Sequence, residues 1–130
     1  MKRCCILLCV IGLLLALCGC NRIRIPATES ATLYFRNALQ GDLRKQAYSL
    51  SAAETARLRE CLQNAKHNAG IGGCYYHEDI SISFGDQVFA IAWDGCETLW
   101  DMNTDKYYEI EKKDWEYILS LFETRGIDTP

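Results

Sequence analysis

The chain has 130 residues, 49% of them hydrophobic and 24% charged, with a formal net charge of −3. That length holds one compact domain and not two. The acidic balance, without a stripe of Lys and Arg, excludes a nucleic-acid interface.

Lys2 and Arg3 precede an uncharged run from Cys4 to Cys18, rich in leucine and isoleucine. The run has the length of a secretory h-region and falls short of the ~20 residues that a spanning helix needs. Leu17-Cys18-Gly19-Cys20 closes it. These four residues resemble the lipobox of bacterial lipoprotein signal peptides, a likeness that covers residues 1–20 only and departs from the usual pattern in having Cys18 at the variable small position. The resemblance implies that the peptide is cut after Gly19, that Cys20 becomes the mature N-terminus and carries a diacylglyceryl thioether, and that the protein is extracytoplasmic, held to the bacterial cell membrane by lipid. Removal of residues 1–19 leaves 111 residues. Of these, 20–27 are expected to be a lipidated tether, with Arg22 and Arg24 close to anionic headgroups, and 28–130 a single ectodomain.

Within that ectodomain, Thr28 to Ser30 offers helix N-cap chemistry ahead of Leu33, Tyr34, Ala38 and Leu39, so a first helix of about three turns is predicted before Gly41. Asp42 is the expected N-cap of a second short helix with Leu43, Ala47 and Leu50 on one face. Ser51-Ala52-Ala53-Glu54 has the capping-box pattern and starts a third helix, whose apolar stripe is Leu58, Cys61, Leu62 and Ala65. From Cys74 the period becomes alternating. Ile80, Ile82 and Phe84 point one way and Ser81 and Ser83 the other, and a Gly85-Asp86 turn pairs Ile82 with Phe89. Asp94-Gly95, read as a two-residue turn, pairs Trp93 with Cys96, Ile91 with Thr98 and Phe89 with Trp100. A fourth strand is expected over Lys106 to Ile110, and a last helix over Lys112 to Thr124 docks by Trp115, Ile118, Leu119 and Phe122. The predicted fold is α+β in two layers: N-terminal helices, a four-strand antiparallel meander and a C-terminal helix.

Three cysteines, Cys61, Cys74 and Cys96, remain after signal removal and acylation of Cys20. The predicted registers place Cys74 and Cys96 two strands apart, roughly 9 to 10 Å, beyond the ~7 Å Cα separation that a bridge tolerates. A disulfide is therefore expected to include Cys61, with Cys74 as its partner; three buried thiols are the alternative. No pair has C-x-x-C spacing, and Cys74-x-x-His77 alone does not define a zinc site. Asp101-x-Asn103-x-Asp105 reproduces the first three ligand positions of a calcium loop, but Lys106 stands where glycine is needed and Lys112 where the bidentate glutamate belongs. Asp101, Asn103 and Asp105 stay as weak candidate metal ligands in what reads as a solvated acidic turn.

No cofactor is expected, and no set of catalytic residues is evident. The residues point to a non-catalytic binding or interaction module at the cell envelope, the alternative being a cysteine- or metal-dependent hydrolase. Charge is unevenly spread: residues 21–73 have eight basic and four acidic side chains, a net of +4, and residues 74–130 have four basic and thirteen acidic ones, a net of −9. The basic half, with Arg44, Lys45, Arg57 and Arg59, is expected to lean toward the bilayer. The acidic half, with Tyr75, Tyr76, Tyr107 and Tyr108 as candidate contacts, is expected to meet a protein or cationic partner.

Overall fold

Residues 22–36, 46–68 and 73–127 are described by a computed structural model of the chain. They form β1 (Ala31–Phe35), β2 (Gln46–Ser49), α1 (Ala52–Gln63), β3 (Lys66–His67), β4 (Tyr76–Phe84), β5 (Gln87–Ala92), β6 (Thr98–Asp101), β7 (Lys106–Glu109) and α2 (Lys112–Glu123). All seven strands join one antiparallel sheet in the order β2-β1-β4-β5-β6-β7-β3. The architecture is thus largely β, with two short helices, and this corrects the expected α+β fold of N-terminal helices on a four-strand meander.

The error lies in the first predicted helix. Ala31–Phe35 is a strand in which Ala31 and Leu33 are buried while Thr32 and Tyr34 are half-buried. Its β-branched and aromatic residues suit a pleated surface, and pairing with β4 over five residues overrides the helical spacing of the apolar positions. Residues 37–45, which carry the end of the first predicted helix and the start of the second, lie outside the described residues, but Gln46–Ser49 is again a strand, paired with β1.

Both helices have their predicted apolar faces. Ser51 caps α1: its hydroxyl accepts from the Glu54 N–H at 3.3 Å, and the Glu54 carboxylate accepts from the Ser51 N–H at 2.8 Å. Leu58, Cys61 and Leu62 are fully buried, as are Ile118 and Phe122 of α2, and Leu119 packs partly buried against the same core. Ala31, Leu33, Ile82, Phe84, Phe89, Ile91, Leu99 and Tyr108 form the sheet's side of that core. Because α1 connects the β2 edge to the β3 edge, it crosses the apolar face of the sheet.

The Gly85-Asp86 hairpin has the predicted register, with Ile82 opposite Phe89 and Phe84 opposite Gln87. Gly85 has φ +57°, and a Cβ there would lie 2.7 Å from the Glu29 carboxylate. The next connection differs by one residue: Ile91 faces Leu99, Ala90 faces Trp100 and Phe89 faces Asp101. It is a five-residue loop, 93–97, not a two-residue turn. Such a slip moves alternate side chains to the other face of the sheet, so Trp100 leaves the core face on which it was expected, and Asp101 takes that face and is buried.

Candidate functional site

The end of the sheet that carries the 93–97 loop is organised by Asp94. Its carboxylate accepts from the backbone N–H of Tyr75 at 2.6 Å and of Cys96 at 3.3 Å, while the Trp93 N–H donates to the Tyr75 carbonyl at 2.9 Å. These bonds draw the segment before β4 against the loop after β5. Cys74 and Cys96 consequently form a disulfide, with Cα atoms 6.1 Å apart, and Cys61 is a free, buried thiol. The expected Cys61–Cys74 bridge is corrected on this point. Cys96 is in a loop beside β4's own neighbour, so the two-strand separation inferred from the assumed turn does not apply.

A bulge in β4 between Tyr76 and Ser81 sets Tyr76 opposite Ala92, on the face away from the helices. There its ring centroid lies 5.4 Å from that of Tyr107 and 6.3 Å from that of Trp100, and Trp100 stacks on Tyr107 at 6.2 Å with 14° between the planes. The Tyr76 hydroxyl and Thr98 Oγ1 are 2.7 Å apart, and the Trp100 indole N–H donates to the Asp105 carboxylate at 3.0 Å. Burial, together with the nearby Tyr107, holds the Tyr76 phenol above its ordinary pKa, against the opposing Thr98 hydrogen bond. Tyr75, the residue before Tyr76, is 59% exposed, the one large hydrophobic side chain so exposed among the described residues. Asp94, which bonds the Tyr75 N–H, and Asp105, which bonds Trp100, are exposed, as is Glu109 opposite Thr98.

Of the four tyrosines singled out from sequence, the structure brings Tyr76 and Tyr107 together, while Tyr75 precedes Tyr76 in the chain and its carbonyl accepts the Trp93 N–H. Tyr108 belongs elsewhere: it is buried on the helix-bearing face, with its ring 5.8 Å from that of His67. Trp100 completes the cluster; the predicted register sets it opposite Phe89 on the core face, and the observed one sets it opposite Ala90. The alternation of β6 with β7 would have found it, since Trp100 is opposite Tyr107.

The acidic triplet builds its own turn. Asp101 Oδ1 accepts from the N–H groups of Asn103 and Thr104 at 3.0 and 3.3 Å, and Asn103 bridges to the first hairpin through Val88 N–H and the Asp86 carbonyl. With Asp105 bonded to Trp100, each of the three is engaged in building the turn. Cys74, Asp94 and Cys96 bring ligand-type atoms within 4.8 Å of one another, but both sulfurs are in the disulfide.

Two of the basic residues expected to lean toward the bilayer are engaged within the fold. Arg57 pairs with Glu60 and Asp114 at 2.8 and 2.9 Å, and Arg59 donates to the Glu29 carbonyl at 2.6 Å. Arg44, Lys45 and Cys20 lie outside the described residues. Among the described residues no helix is long and apolar enough to cross a membrane. Comparisons with family models, curated proteins and solved structures find no match to this chain.

Proposed function

We propose that the protein is a non-catalytic binding module of the bacterial cell envelope, attached to the membrane by lipid on Cys20, that engages a protein partner with the aromatic end of its sheet. The observation that carries the binding surface is Tyr75: a large ring left 59% exposed on a backbone that is held at both its N–H and its carbonyl. Rigid, partly wet aromatic rings give contact area at low entropic cost, and Tyr and Trp dominate binding hot spots. The exposed carboxylates of Asp94, Asp105 and Glu109 select a partner with basic residues at the rim. A cysteine hydrolase is disfavoured, because burial and the adjacent Asp114 push the Cys61 thiol up to about 12 and deny it the thiolate form at neutral pH.

The anchor and the surface are tested separately. Mass spectrometry of the membrane-bound protein is expected to find residues 1–19 missing and Cys20 acylated; an intact N-terminus with an unmodified Cys20 overturns the anchor. A photocrosslinking amino acid at position 75 of the full chain, in its host cell, is expected to give a discrete protein adduct that the same probe at the exposed position 116 on α2 does not. No adduct, or the same adduct from both positions, overturns the contact surface.

A further inference from the structure

Residues 22–25 were expected to be tether, yet they are part of the fold. Ile23 and Ile25 are buried in the core, and Arg22 and Arg24 alternate with them at the surface. The segment lies against the helix-bearing face, at the end of the sheet opposite the disulfide, where it borders a cleft of about 420 Å³ closed by the ends of β5, β6 and β7. Three cationic side chains line that cleft, Arg22, Arg24 and Lys106. None of the three has an ion pair or hydrogen bond to another described residue. The one carboxylate there, Asp101, already accepts two backbone N–H groups. Thr104 and Tyr108 add hydroxyls. Three unpaired cations against one engaged carboxylate make an electropositive concavity, a field that favours a bound anion. Guanidinium forks match the tetrahedral oxygens of phosphate.

We infer that this cleft binds an oxyanion, the phosphate of an anionic phospholipid headgroup. The choice of headgroup rests on the lipid-anchor reading, and chain length supports it. Ile23, already docked, is three residues after Cys20, so a lipid on Cys20 can be no more than about 10 Å of extended chain away. The cleft is thereby confined to headgroup depth, and the Tyr75 end of the sheet is turned away from the bilayer.

The test is titration of the full-length protein, in uncharged detergent and low salt, with short-chain phosphatidylglycerol, short-chain phosphatidylcholine and inorganic phosphate. Saturable binding of phosphatidylglycerol is expected, weaker by at least about tenfold in Arg24→Gln/Lys106→Gln and also reduced in Lys106→Gln alone. Both side chains lack described partners, so unchanged thermal midpoints should show that the variants fold. Equal binding of inorganic phosphate sustains the oxyanion site and assigns it to the free ion. Absence of saturable binding, binding that the double variant retains, or equal binding of phosphatidylcholine overturns the inference. An unacylated Cys20 together with phosphate binding would overturn the anchor reading and leave the anion site standing.

Discussion

Asp114 stands in the first turn of α2 with its side chain wholly buried, and a single guanidinium balances it. Arg57 reaches it from α1 at 2.9 Å, lies 5.7 Å from the Tyr117 ring centroid, and also bonds Glu60 at the surface. The second carboxylate oxygen, Oδ2, is buried without a hydrogen-bond partner. The two ends of this pair are unequal. Removing Arg57 strands a buried carboxylate, whereas neutralising Asp114 leaves an arginine that water and Glu60 still solvate. Arg57→Ala is therefore expected to lower the thermal midpoint more than Asp114→Asn does; equal losses would contradict this account. Nothing in the sequence points to the pair, since its members are 57 positions apart and each reads as an ordinary exposed helix charge.

At the scale of elements, the helices were legible because their signals are local. The capping box at Ser51 and the Leu58, Cys61, Leu62 stripe each lie within a few residues, and the structure contains both. The β1 strand is not legible in the same way, because five residues with mixed apolar and aromatic character fit either period, and only β4 and β2 on its two sides decide between them. The disulfide depends on long-range geometry in the same way. It closes a loop with a sequence separation of 22 around the β4–β5 hairpin, and a loop of that size is worth about 2 to 4 kcal/mol through restriction of the unfolded chain. Cys74→Ser/Cys96→Ser is expected to lose stability in that range on chemical denaturation. Non-reducing peptide mapping should join Cys74 to Cys96, and a link from either to Cys61 would contradict the structure.

For the molecule as a whole, stability should fall at both ends of the pH scale for separable reasons. The Ser51 N–H, then Arg125 at 3.0 Å, hold Glu54 below its ordinary carboxylate pKa of 4.5. Its contribution is present above that value and is lost as pH falls through the lowered folded pKa. On the alkaline side, Cys61 ordinarily ionises near 9.0 and in the fold is pushed up to about 12. Burial likewise raises Tyr76, Tyr108 and Tyr117. The unfolded chain then releases protons that the fold retains, so stability declines as pH rises from about 9 toward 12. Glu54→Gln should flatten the acid limb and Cys61→Ala the alkaline limb; a limb that keeps its slope in its own variant would show that other groups control it. The same view of the whole molecule sets its two ends apart, with the docked Ile23 segment at one and the loop that presents Tyr75 at the other.

Sequence by itself determined what short-range periodicity can encode: the start and buried face of α1, the buried face of α2, and the Gly85-Asp86 hairpin that sets Ile82 against Phe89. Only the tertiary structure decided that Ala31–Phe35 and Gln46–Ser49 are strands, that Cys74 bonds Cys96, that Trp100 joins Tyr76 and Tyr107, and that Ile23 and Ile25 belong to the core. Each of these rests on contacts between distant segments. A helix completes its hydrogen bonds within itself, whereas a strand acquires its identity, register and exposed face from its neighbours. One residue of difference in the loop after β5 moved a tryptophan from the core to the candidate contact surface.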